Sequence, residues 1–280
     1  MSFLRSSFFL STSFLFDCIV YYMARMGSNR IILLNQKGGV GKTTICVNLG
    51  SSLCAMGYKV LLVDFDSQGN LTGAVSGDSR RPTMYQVMTG AVSAEDAIQE
   101  TPFQNLYLIP GSIDLAGLSI ELADEDDRNY YLKKVLEGVD SQFDYVFVDC
   151  PPALGVLTMN AMAWADYIII PMQCEYFAME GLNLLMRTIT NVKKSLNPDL
   201  RILGIAFNMF SGHNRLNAEV VKDTTSFFPD LVFKTIIPRS VRLAEAPSFG
   251  LPINVYNTAG KGTLAFANLA KEVSERVKQD

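Results

Sequence analysis

Lys37 and Lys42 frame the glycines Gly38, Gly39 and Gly41, with Val40 among them, and Thr43 and Thr44 follow at once. Glycines let successive backbone N–H groups turn into one concave nest, which suits phosphate oxygens, and a helix starting directly after the nest adds partial positive charge. In such a nest Lys42 neutralises the outer phosphates of a nucleotide and the Thr43 hydroxyl serves as a ligand to Mg²⁺. The pattern G-x-x-x-x-G-K-[ST] is matched loosely, because its first glycine is missing and Lys37 opens the loop, while Gly39-Val40-Gly41-Lys42-Thr43 is intact. A ligand-free glycine turn would not need a strand, a lysine, a threonine and an amphipathic helix in register.

Three carboxylates complete this chemistry. Lys59 to Asp64 reads KVLLVD, a buried strand running into Asp64-Phe65-Asp66, and Tyr145 to Asp149 reads YVFVD, a second strand running into Cys150-Pro151-Pro152. Open α/β sheets bind ligands at the C-terminal ends of their strands, where these aspartates stand. Asp149 is expected to reach Mg²⁺ through water, and Asp66 to lie near the metal and order the attacking water. Asp64 has two readings: a member of the site, or a polar strand end that caps the following turn.

The elements that must position these groups follow from periodicity. Arg30 to Asn35 (RIILLN) is a short apolar run leading into the glycines. Ile45, Leu49 and Leu53 repeat every four residues behind them, and Gly57 marks the helix end. Asp166 to Pro171, Ile202 to Asn208 and Val232 to Ile237 are further buried runs, with helical patterns between. Strands alternating with helices predict an α/β fold, a mostly parallel twisted sheet covered on both faces, with residues 30–280 as one P-loop NTPase domain. The acidic stretch from Glu121 to Asp127 is expected to be a solvated helix end or loop.

Composition narrows the function classes. The chain has 280 residues, 49% apolar, and a formal net charge of −4, so no global positive field draws it to nucleic acid or to an anionic membrane. Any such binding must come from a local patch. Five cysteines, widely spaced, indicate neither a disulfide framework nor a zinc knuckle and fit a reducing cytoplasm. The one histidine, His213, leaves no histidine-rich metal site. Residues 1–29 differ from the rest, being rich in Phe, Ser and Tyr. A span needs about 20 apolar residues, and Asp17 at the centre costs on the order of 3 kcal/mol, so an upstream translation start, with Met23 or Met26 as initiator, is the expected explanation.

These motifs together resemble the ParA/Soj partition ATPases of the deviant-Walker-A group that also contains MinD. The likeness runs from about Arg30 to the C-terminus. It rests on KGGVGKTT at Lys37–Thr44, VDFDSQGN at Val63–Asn70, VDCPPALGVLTMNAM at Val148–Met162, PMQCEYFAMEGL at Pro171–Leu182 and IPRSVRLAEAPSFGLPI at Ile237–Ile253. The resemblance implies an ATP- and Mg²⁺-dependent hydrolase with slow basal turnover. In it Lys37 reaches across a two-fold axis to the phosphates held by a second copy, giving a homodimer around ATP. It implies further that Asn208 and Pro238, with Met209 nearby, lie where the adenine is held.

The dimer of this family binds DNA without sequence preference and works with a ParB-like partner in chromosome or plasmid segregation, on the nucleoid. Arg242 matches one DNA-contacting arginine of the family. The other falls on His213, a poorer phosphate partner than guanidinium, for which Arg215 offers a substitute. Arg187, Lys193, Lys194 and Arg201 form another basic stretch, equally readable as a solvated helix face. The competing reading is a MinD-like membrane-associated or cargo-positioning ATPase with a C-terminal lipid-binding helix. Leu269, Val273 and Val277 do make a stripe, but Lys271, Arg276 and Lys278 are balanced by Glu272, Glu275 and Asp280. A helix docked on its own domain is therefore expected instead.

Overall fold

The computed structural model describes residues 27–279. Of the expected leader, residues 1–26, with the alternative start sites, lie outside the described residues, while Asn29 already stands in the first strand. Seven strands, β1 (Asn29–Leu33), β2 (Val60–Asp64), β3 (Gln99–Glu100), β4 (Leu106–Ile109), β5 (Tyr145–Asp149), β6 (Tyr167–Gln173) and β7 (Arg201–Asn208), form one sheet in the order β3-β4-β2-β5-β1-β6-β7. All pairings are parallel except β3 with β4. The central strands are short and carry apolar residues on both faces because helices cover both sides; every residue of β2 and β5 is buried. At the base of β1, Arg30 holds Asp166 through Nε to Oδ2 at 3.0 Å and Nη2 to Oδ1 at 2.5 Å, fixing β1 against the start of β6.

One helix organises the face beneath the glycine loop. Helix α1 (Lys42–Ala55) follows that loop directly, and its expected stripe, Ile45, Leu49 and Leu53, is fully buried. The helix is buried on nearly all sides, not along a stripe alone, since Asn48, Ser51 and Ser52 are covered as well. Part of the cover is the last helix, which is α5 when the long helices between are α2 (Val156–Trp164), α3 (Ala178–Ser195) and α4 (Arg215–Phe227). Helix α5 (Lys261–Gln279) packs Leu269, Ala270 and Val273 into the same apolar cluster as Leu49 and Leu53. Each fully buried Leu or Val side chain contributes roughly 1.5–3 kcal/mol, and alanine less. The C-terminal stripe is thus spent on the protein's own core. Among the described residues no helix is long and apolar enough to cross a membrane.

Two departures from the sequence expectations stand out. Gln99–Glu100 and Leu106–Ile109 add an edge to the sheet that residue patterning did not announce. Val232–Ile237 is buried at Val232, Phe233 and Ile237 but meets β7 only at its two ends, by an isolated bridge between Val232 and Ile205 and by the Ile237 amide, which donates to the Phe207 carbonyl at 2.9 Å. The reason is a competing acceptor: the Lys234 and Thr235 amides donate to the Glu272 carboxylate of α5, at 2.7 and 3.1 Å, and so are not free for a ladder. The acidic stretch Glu121–Asp127 closes a short helix, Leu118–Glu121, and is exposed except at Leu122.

Candidate active site

The register places the chemistry at one edge. Leu33 pairs with Asp149 and Asp149 pairs with Asp64, so the C-terminal ends of β1, β5 and β2 stand side by side. From β1 the chain enters the glycine loop and leaves it as the N-terminus of α1. Gly39 and Gly41 are left-handed, with φ of 74° and 93°. At Gly41 a Cβ would fall 2.0 Å from Asn208 Nδ2, so glycine is required there by space as well as by conformation. At Gly38 nothing lies within 4 Å of a Cβ.

Lys42 is only 7% exposed, and its Nζ donates to the Asn35 carbonyl at 3.2 Å, which keeps the ammonium at the mouth of the nest. Thr43 Oγ1 donates to Asp149 Oδ2 at 2.5 Å. The other Asp149 oxygen, Oδ1, is buried without a hydrogen-bond partner. Burial, followed by the charge of Asp64, pushes the Asp149 carboxyl up to about 8, while Thr43 and Lys42 act in the opposite direction. Burial likewise raises Asp64 to about 6, against hydrogen bonds from Thr72. A buried carboxylate oxygen with no donor is one that a cation would satisfy. The donors at hand, a hydroxyl and carboxylates beside a cleft open to water, are hard oxygens and suit Mg²⁺. Among the described residues no group of three His, Cys, Asp or Glu side chains could hold a metal, so an ion here would complete its shell with phosphate and water oxygens.

Asp66 faces the loop from the other side of a cleft of about 500 Å³. It is half-buried, and its Oδ1 accepts from the Gln68 amide at 3.1 Å. Gly38, Gly39, Gly41, Lys42, Thr43 and Thr44 line the cleft together with Asp66. Its apolar wall comes from Val47, Ala74, Met209, Pro247 and Leu251. Pro247 and Leu251 were not singled out from the sequence, since nothing in an isolated Pro or Leu marks a ligand wall. A larger hollow of about 800 Å³ between β7 and α5 is no rival. There the Arg276 guanidinium spans the carbonyls of Leu203, Asp230, Leu231 and Val232, so its donors are already used.

Of the residues expected on the base side, Asn208 and Met209 lie against the phosphate loop. Asn208 is 1% exposed, donates Nδ2 to the Val40 carbonyl at 2.9 Å and accepts at Oδ1 from the Met209 amide at 2.9 Å. Its amide braces the phosphate loop, and both of its functions are engaged within the protein. Met209 lines the cleft, with φ of 55°; Pro238 bridges Phe210 and is not among the lining residues.

Lys37 lies outside the cleft lining. Its side chain is 53% exposed and pairs with Glu175 at the end of β6. Beside Glu175, Tyr176 and Phe177 are about three-quarters exposed, edge to face with ring centres 5.0 Å apart. Arg242 is exposed on the short helix Val241–Glu245 and pairs with Glu245 at 2.9 Å. Arg215 and His213 are exposed at the start of α4, and Arg187, Lys193 and Lys194 on α3.

Comparison with known proteins agrees with this architecture. Residues 28–202 match a family described as an AAA domain. The chain is 48% identical to the chromosome-partitioning ATPase Soj of Treponema pallidum, over 88% of this chain and 97% of that protein. It is 46% identical to the chromosome partitioning protein ParA of Caulobacter vibrioides, over 88% and 94%. Among solved structures, cobyrinic acid a,c-diamide synthase from Mycobacterium smegmatis with bound ATP analog and magnesium superposes with a TM-score of 0.80 at 33% identity, covering 90% of this chain and 96% of that one. With a parallel sheet ending in a glycine nest, a threonine–aspartate pair beneath it, and near-full-length likeness to both Soj and ParA, the chain belongs to the ParA/Soj family of chromosome-partitioning ATPases.

Proposed function

We propose that this protein is a Mg²⁺- and ATP-dependent dimerising switch that binds DNA without sequence preference and acts with a ParB-like partner in chromosome or plasmid segregation, with residues 30–280 as its working unit. The observation that carries the reading is the cradle itself: a glycine nest, a buried Lys42 and the Thr43–Asp149 pair, with an Asp149 oxygen that lacks a donor, meet at one cleft. When bound, Mg²⁺ supplies Lewis-acid stabilisation of charge on the transferring phosphoryl oxygens. The nest amides and Lys42 orient the phosphates, Thr43 and Asp149 hold the metal side, and Asp66 orients the attacking water. Val47, Ala74, Met209, Pro247 and Leu251 exclude water around the base.

Lys37 supports the dimeric part of the reading. It sits on the phosphate loop yet is held in solvent, where it can serve a second copy of the chain across an interface that would also cover Tyr176 and Phe177. Dimerisation doubles every exposed basic group, Arg242 and Arg215 included, and converts weak phosphate contacts into useful affinity. Membrane attachment through α5 is disfavoured, because its apolar stripe is buried against α1. A titration of DNA with ATP, ADP or no nucleotide, repeated with anionic liposomes as a competing surface, tests the proposal. Tight DNA binding with ATP alone, undisturbed by liposomes, is expected; recruitment to liposomes with no nucleotide-dependent DNA binding sinks it.

A further inference from the structure

We propose that Thr72 is a positioning residue for hydrolysis: with Asp64 and the Gly111 amide it forms a buried tie that fixes the loop carrying Asp66 against the end of the sheet. Neither Thr72 nor Asp64 lines the nucleotide cleft, and both are enclosed, at 4% and 0% exposure. Asp64 Oδ2 accepts from the Thr72 amide at 2.8 Å and from the Thr72 hydroxyl at 2.6 Å. The same hydroxyl accepts from the Gly111 amide at 2.9 Å. Three separate segments therefore meet at one hydroxyl: the end of β2, the helix Asn70–Ala74 and the chain just after β4. A hydroxyl that donates once and accepts once can be replaced in kind only by serine.

Packing closes the tie from the third side. A Cβ at Gly111 would fall 2.8 Å from Asp64 Cγ and 2.9 Å from the Asp64 carbonyl oxygen, so this segment lies as close to the carboxylate as glycine allows. Asp66 stands between two anchors. Before it, Phe65 is fully buried and its amide donates to the Asp149 carbonyl at 3.2 Å; after it comes Thr72. Its own carboxylate accepts from Gln68 within the turn, which fixes the turn internally but not against the sheet. A carboxylate that orders a water must be held to a fraction of an ångström, so the accuracy of Asp66 depends on these anchors.

The catalytic half of this inference rests on the ATPase function proposed above; the structural half does not. Thr72→Val keeps the shape but leaves the Gly111 amide and a carboxylate lone pair unpaired, whereas Thr72→Ser keeps both bonds. In single-turnover assays Thr72→Val is expected to hydrolyse ATP about tenfold more slowly. Its affinity for a non-hydrolysable ATP analogue should stay within about twofold, because the cradle is untouched. Amide exchange in the 64–72 peptide should quicken, and serine should restore all three readings. Unchanged exchange in Thr72→Val overturns the tie. So does a serine variant as slow as valine, or an analogue affinity that falls in step with the rate. Wild-type hydrolysis in Asp66→Ala would instead remove Asp66 from its role while the exchange result still judged the tie. Should Thr72→Val fail to fold, Gly111→Ala crowds Asp64 from the opposite side: slower hydrolysis with quicker exchange and kept analogue affinity is expected, and unchanged exchange, or an affinity that falls with the rate, overturns the tie.

Discussion

Lys37 and Lys42 share one loop, and the fold treats them in opposite ways. Lys42 is enclosed and fixed on a backbone carbonyl, aimed at the cleft that its own chain builds. Lys37 is half in solvent and held only by Glu175. An exposed ion pair of this kind is worth about 0–1 kcal/mol, so Lys37 leaves it at little cost when a better anion approaches, whereas Lys42 has nowhere else to go. The glycines beside them repeat the contrast. Gly41 is walled in by Asn208, while Gly38 faces open space. Within one loop, the inner half is completed by intramolecular packing and the outer half stays open to solvent.

The sharpest way to break this comparison is to remove the inner charge. Lys42→Ala should lower ATP affinity on the order of 100-fold or more, since a desolvated ammonium–phosphate contact has no substitute in the nest; calorimetric titration with wild-type affinity would refute the inner role. Next come the glycines. Gly41→Ala should destabilise the loop by driving a Cβ into Asn208, weakening nucleotide binding in the isolated chain. Gly38→Val should leave ATP binding within a few-fold of wild type yet suppress ATP-driven dimers. Light scattering that showed dimers at wild-type protein concentration would place Gly38 away from any interface.

Smaller effects sharpen the picture. Asp149 and Asp64 titrate near 8 and 6, above the ordinary carboxyl value of about 4, so the folded chain binds more protons than the unfolded one in between. Stability of the nucleotide-free protein contributed by this pair is therefore fully present below about pH 4 and is lost as pH rises through about 8. Thermal unfolding should show a lower Tm at about pH 8.5 than at about pH 5.5, and Asp149→Asn should flatten most of that slope above pH 6. The mildest change concerns the outer surface. Arg242→Ala should reduce the slope of log K for DNA against log salt by about one, and an unchanged slope would identify Arg242 as an ordinary surface residue paired to Glu245.

Strands that end in chemistry were the easiest to recognise. VLLVD and YVFVD announce themselves because an apolar run that stops at an aspartate is uncommon unless the strand is buried and its end is used. The edge pair was hidden for the converse reason. Gln99–Glu100 has no apolar pattern, and Leu106–Ile109 is too short to distinguish from a packed loop, so only pairing defines them. Val232–Ile237 has the composition of a strand, but two of its amides go to Glu272, some 40 residues later in the chain.

By itself the sequence determined the cradle. Gly-Val-Gly-Lys-Thr after a buried strand and before a helix allows little besides an anion nest, because local backbone geometry and charge suffice to make one. The tertiary structure alone decided which atoms remain available. It spent the Asn208 amide on Val40, left an Asp149 oxygen without a donor, held Lys37 outside the cleft and tied Asp64 through Thr72 to Gly111. Each of those outcomes depends on where residues remote in the chain come to rest. Hydrogen-bonding capacity is finite, and only the packed fold settles which partner takes it.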